Sequence, residues 1–96
     1  MKILALEIER PGATGDQFQP YLKAEAARVW EIYQGELIRE MYFRADRHTA
    51  VLVLECESTG QARQLLAELP LVEQGLIDFE VIPLAPYPGF SRLFAG

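Results

Sequence analysis

The run Ala50–Val51–Leu52–Val53–Leu54 has no polar residue at either alternate position. Successive side chains of a strand point to opposite faces, so this strand is apolar on both sides. Its neighbours alternate as strand, helix, strand, strand, helix, strand, and the chain holds only two amphipathic helices. Two helices cover one face of a four-stranded sheet. The second face calls for a partner, and a second copy of the chain supplies one.

Lys2–Glu9 reads as the first strand and Arg10–Asp16, with Pro11, Gly12 and Gly15, as a loop. A helix is expected from Phe18 to Gln34. Pro20 suits its first turn, and Phe18, Leu22, Ala26, Val29 and Tyr33 form an apolar stripe. Gly35 is the expected C-cap. Glu36–Arg44 and His48–Glu57 read as a hairpin turning at Asp46–Arg47, which pairs Arg44 with Thr49, Tyr42 with Val51 and Glu40 with Val53. Ser58, with Gln61 three residues on, opens a second helix with Ala62, Leu65, Leu66 and Leu69 inward, and Pro70 ends it. Leu76–Leu84 is the last strand. The rhythm predicts a single α+β domain over residues 1–96, of ferredoxin-like βαββαβ type. Its four-stranded antiparallel sheet has the order 4-1-3-2, with both helices on one face.

Alternation divides the strands into two faces. The helix-covered face is expected to carry Leu4, Leu6, Ile8, Leu37, Met41, Phe43, Ala50, Leu52, Leu54, Cys56, Ile77, Phe79 and Val81, with Arg39 as a charged exception. The other is expected to carry Ile3, Ala5, Glu7, Ile38, Glu40, Tyr42, Arg44, Thr49, Val51, Val53, Glu55, Asp78, Glu80 and Ile82. An apolar centre of Ile3, Ala5, Val51 and Val53 within a charged rim has the anatomy of an interface, so a homodimer through this face is expected. The tail, residues 85–96, carries Tyr87, Phe90 and Phe94 between prolines and is expected to lie on the partner subunit.

Two segments, Arg39–Glu40–Met41–Tyr42–Phe43–Arg44–Ala45–Asp46 running into Val51–Glu57, and Leu69–Pro70–Leu71 followed by Ile77–Asp78–Phe79–Glu80–Val81, resemble the muconolactone isomerase family of dimeric α/β-barrel proteins. The resemblance covers roughly the second half of the chain. It implies a ferredoxin-like subunit, sheets packed face to face, and a cofactor-free proton shift on a small unsaturated lactone acid.

The residues themselves offer candidates for such chemistry. A proton shift uses a group that removes and returns a proton, together with a donor or cation for the substrate. Glu40, Tyr42 and Arg44 alternate on one side of one strand: Glu40 as base, Tyr42 as donor to a developing enolate, Arg44 as carboxylate anchor. The same triplet also reads as an edge-strand ion-pair face. His48, the one histidine, lies at the hairpin turn, with a side chain suited to proton transfer or simply to solvation. Arg39 either lines a pocket and holds a ligand carboxylate or pairs with Glu36 or a helix acid. Cys56, the one cysteine, falls on the helix face as a buried thiol.

Other classes find little support. The net charge is −5 without a Lys/Arg cluster, which argues against nucleic acid and anionic membranes. No ligand-spaced cluster points to a metal, and no glycine-rich phosphate loop or Ser/His/Asp set to another cofactor. The early acids Glu7 and Glu9 argue against a leader, and a cytoplasmic location is the expectation. Two functional readings remain: a cofactor-free isomerase acting on a small organic acid, and a non-enzymatic small-ligand-binding or assembly module. An open pocket containing Arg39 with a perturbed carboxylate favours the first. A pocket filled by Met41, Phe43 and Trp30 favours the second.

Overall fold

The computed structural model describes residues 1–95. Strands β1 (Lys2–Glu9), β2 (Ile38–Phe43), β3 (Ala50–Glu55) and β4 (Ile77–Pro83) form one antiparallel sheet in the order β2-β3-β1-β4. The helical segments are α1 (Gly15–Phe18), a 3-10 turn (Gln19–Tyr21), α2 (Leu22–Gln34), α3 (Thr59–Ala67) and α4 (Pro70–Glu73). The architecture is the expected ferredoxin-like α+β fold. None of the described helices is long and apolar enough to cross a membrane.

Local chemistry explains most boundaries. The helix expected over Phe18–Gln34 is broken at Pro20, whose missing N–H turns one segment into a 3-10 step. Ser58 Oγ accepts from Gln61 N at 3.1 Å and starts α3. Pro70 ends that helix but opens α4, where the sequence suggested a loop. At the end of α2 the left-handed residue is Glu36 (φ 68°), not Gly35 (φ −77°). The Glu36 carbonyl then accepts from Arg39 Nε at 2.6 Å.

The hairpin register is as expected: Glu40 opposes Val53, Tyr42 opposes Val51, and Arg44 N donates to Thr49 O. Two face assignments are corrected. A bulge between Ile38 and Glu40 absorbs Arg39, so Ile38 faces the helices opposite Leu54 and is 1% exposed. The bulge also explains how Arg39 escapes the apolar face. Strand β1 is inverted relative to expectation: Ile3 and Ala5 are fully buried opposite Leu54 and Leu52, whereas Leu4 and Leu6 oppose Val53 and Val51 on the open face. Because β1 is central and apolar on both sides, counting apolar residues cannot orient it. Ladder register decides, and a one-residue change moves every side chain to the other face.

Ile32, Leu52, Leu54, Cys56, Ala62, Leu66, Leu69, Leu71, Leu76, Ile77 and Phe79 complete the core with Ile3, Ala5 and Ile38. Burial pushes the Cys56 thiol above its ordinary pKa, as suits an unreactive cysteine. The tail leaves the body of the molecule, with Tyr87, Phe90, Leu93 and Phe94 exposed. The Tyr87 ring lies over Gly89, where it leaves no room for a Cβ, and Phe90 meets it edge-on at 5.2 Å. The tail thus carries a small aromatic cluster of its own.

Candidate active site

Between the sheet and α2 lies an open cavity of about 470 Å³. Its floor is Ala50, Leu52 and Phe79, its far wall Leu69 and Leu71, and its helical wall Phe18, Leu22, Ala26, Val29 and Trp30. Met41 and Phe43 of edge strand β2 bound the remaining side. The walls are overwhelmingly apolar, and the volume suits a small organic ligand.

Five titratable groups border this space: Glu7 and Glu9 of β1, Glu25 of α2, Tyr42 of β2 and His48 of the β2–β3 loop. Glu7 is there because β1 is inverted. Its Oε1 accepts from Ala50 N at 3.1 Å. Glu25 lies inward on the row Tyr21, Glu25, Val29, Ile32, and its Oε1 accepts from Leu71 N at 3.0 Å. That N–H, in the first turn of α4, has no partner within the helix. The described residues give the second oxygen of either carboxyl no partner. The His48 ring stacks on Phe43 at a centroid distance of 4.0 Å.

Burial dominates the electrostatics. Desolvation pushes the Glu7 carboxyl above its ordinary pKa; the Ala50 N–H and His48 pull it back in part, while Glu9 adds to the rise. Desolvation likewise raises Glu25 against the opposing pull of the Leu71 N–H, and the charge of Glu7 raises it further. Carboxyls held readier to take a proton, at the edge of an apolar cavity, are suited to general acid–base work.

Of the residues singled out in the sequence, Tyr42 and His48 line this cavity and Glu40 does not, so Glu40 and Tyr42 do not enter it as a catalytic pair. They lie on the opposite alternation of β2 from Met41 and Phe43, and Tyr42 OH donates to Glu40 Oε1 at 2.7 Å, which raises the phenol pKa. Arg44 is held by Asp46 at 2.6 and 2.8 Å, and Arg39 by the Glu36 carbonyl. No lysine or arginine lines the cavity. Sequence reasoning missed Glu7 and Glu25. Glu7 was hidden by the inversion of β1. Glu25 was hidden by the stripe Phe18/Leu22/Ala26/Val29/Tyr33, whose members Leu22 and Tyr33 are 43% and 41% exposed. The row Tyr21/Glu25/Val29/Ile32 has equally good helical spacing and was the available signal. Among the described residues no cluster of three or more His, Cys, Asp or Glu side chains is arranged to hold a metal ion.

No protein-family model matches the chain, and no curated protein does. Among solved structures, it is similar to 5-chloro-2-hydroxyhydroquinone dehydrochlorinase (TftG) from Burkholderia phenoliruptrix AC1100, in complex with 2,5-dihydroxybenzoquinone. The TM-score is 0.63 at 18% identity, over 93% of this chain and 98% of the other. That likeness supports the ferredoxin-like α+β architecture.

Proposed function

We propose that this chain is a small cofactor-free enzyme that transfers a proton within a small organic molecule bound between the sheet and α2. Glu7 and Glu25 exchange the proton, and His48 serves as the adjacent donor or acceptor. The observation that carries this reading is the pair of half-buried, partly unbonded carboxyls bordering one apolar cavity. An isomerase of the muconolactone isomerase type is the kind of chemistry the sequence resemblance implies. The name of the TftG neighbour records an elimination on a small ring, which also involves the loss of a proton. Met41, Phe43 and Trp30 border the cavity without filling it, which favours an enzyme over an assembly module.

The test is proton exchange in D2O with a panel of cyclic enones, lactones and hydroxylated rings, followed by NMR. The expected result is enzyme-dependent deuteration of at least one compound, slowed about 10²–10⁴-fold by Glu7→Gln or Glu25→Gln. Exchange that persists undiminished in Glu7→Gln, Glu25→Gln and His48→Gln alike would overturn the proposal.

The same proposal includes a homodimer. The open face carries Leu4, Leu6, Val51, Val53 and Ile82 at its centre, with Glu40, Tyr42, Glu55, Asp78 and Glu80 around them. A two-fold axis would make this patch self-complementary, and the exposed aromatic cluster of the tail would lie against the second subunit.

A further inference from the structure

Exposed large hydrophobic side chains gather in two places. One is the mouth of the cavity, where Leu22 and Trp30 of α2 and Met41, Tyr42 and Phe43 of β2 line the cavity and also reach solvent. The other is the tail, where Tyr87 and, on a 3-10 segment (Gly89–Phe94), Phe90, Leu93 and Phe94 are exposed. Apolar patches of this kind on a surface mark contact sites. Charge matches the two patches to each other. Arg92 is the one charged side chain of residues 85–95, and among the described residues it has no acid within salt-bridge distance. The cavity is bordered by Glu7, Glu9 and Glu25 and by neither lysine nor arginine; its basic side chain, His48, is stacked on Phe43.

The tail starts at the corner of the sheet opposite this mouth. Pro83 pairs with Ile3 and Leu84 N donates to Lys2 O, so the tail leaves edge strand β4 at the end away from Glu7. The mouth lies on the other edge strand, β2, where Phe43 opposes Ala50. Three strand spacings and the four residues from Ile3 to Glu7 put about 20 Å between the two corners within the sheet. The six residues from Leu84 to Phe90 span about 20 Å when fully extended, and their path must also pass around the body of the molecule. The tail is therefore too short to cover its own mouth.

We infer that the tail of a second copy closes this cavity, with its Phe90, Leu93 and Phe94 on the mouth and Arg92 of the partner subunit brought to the border among Glu7, Glu9 and Glu25. The inference rests on the proposed role of the cavity as the substrate site and names what completes that site. Arg39 and Arg44 are engaged by the Glu36 carbonyl and Asp46 and do not line the cavity. A guanidinium delivered by the tail supplies the missing anchor for a substrate carboxylate and offsets the acids such a group would otherwise meet. Closure by apolar rings excludes water, which strengthens each charge and hydrogen bond inside.

Trp30, the one tryptophan of the chain, stands on the mouth and reports its cover. The experiment refolds two full-length variants together and reads tryptophan emission. The acceptor keeps Trp30 and carries Phe90→Ala and Phe94→Ala in its own tail. The donor has an intact tail and carries Trp30→Phe, so it is silent under tryptophan excitation. Increasing donor is expected to shift acceptor emission to the blue, saturably, toward that of the wild type. A donor that also carries Arg92→Ala is expected to be needed in about fivefold greater amount. No shift on mixing, with wild-type emission blue of the acceptor's at every dilution, would assign the cover to the chain's own tail and overturn the inference. Identical emission from wild type and acceptor would remove the tail from the mouth and overturn it as well. An Arg92→Ala donor as effective as the intact one would overturn the placement of Arg92. None of these readings depends on turnover. Carboxyl-dependent deuterium exchange without the emission shift would overturn the docked tail alone, and the shift without such exchange would uphold the docked tail and overturn the proposed activity.

Discussion

The two faces of the sheet use nearly the same residue types for different ends. On the helix side, Ile3, Ala5, Leu52 and Leu54 sit under α2 and α3 with almost no exposure. Toward the end of β1 that alternation admits Glu7 beside an unfilled cavity. On the open side, Leu4, Leu6, Val51 and Val53 are as apolar, but their charged neighbours form a rim, and those charges are exposed and satisfied by each other or by solvent. A carboxyl on the helix side is perturbed by burial; on the open side the Glu40 carboxylate is spent on a hydroxyl two residues away. Position relative to the helices, rather than residue type, separates a half-buried acid from a surface one.

The sharpest way to break this comparison is to truncate equivalent side chains on both faces. Ile3→Ala or Leu52→Ala is expected to cost about 2–5 kcal/mol of unfolding free energy, through lost transfer energy and an unfilled cavity. Leu4→Ala is expected to act mainly on association. Denaturant melts in which Leu4→Ala is the more damaging to the subunit would reverse the face assignment.

Charging the open face is the next largest effect. Val51→Lys with Val53→Glu is expected to yield monomers by light scattering, because charges at the centre of a packed contact lose their hydration. A folded dimer at micromolar concentration would return that face to solvent. Truncation after Leu84 is expected to weaken association less, leaving the subunit fold intact. An unchanged oligomeric mass would remove the tail from the interface.

The smallest effect sharpens the comparison through pH. A carboxyl whose pKa is raised on folding binds its proton more tightly in the folded state. Its contribution to stability is complete below the unfolded value of 4.5 and is lost as pH rises through the folded value. Wild-type stability is therefore expected to decline across the window just above pH 4.5, and Glu7→Gln or Glu25→Gln to flatten that decline. Each substitution is expected to raise stability at pH 7 relative to wild type, because it removes a charge that folding partly desolvates. Chemical melts at a series of pH values check this.

The fold was largely legible in the sequence because its signals are local: Pro20 and Ser58 mark turns, and period-2 and period-3.6 patterns mark strands and helices. The hairpin register followed from its turn. The site was not legible for a physical reason. Whether Glu7 faces water or the cavity depends on which face of β1 meets the helices, and β1 is apolar on both. Glu25 depended on choosing between two rows of α2 with similar spacing. His48 was visible only as a histidine in a turn; its stacking on Phe43 and its place beside Glu7 arise from the folded chain. Glu40, Tyr42, Arg39 and Arg44 drew attention because polar residues on a strand are conspicuous, yet their partners are close in sequence.

The central claim is that Glu7 and Glu25 form one half-buried titrating site. Carbon-detected NMR of the glutamate side-chain carboxyls across pH measures it directly. Both midpoints are predicted to lie above 4.5, and Glu7→Gln is predicted to lower that of Glu25 by removing the neighbouring charge. Midpoints at or below 4.5 for both, with Glu25 unmoved by Glu7→Gln, would contradict the account.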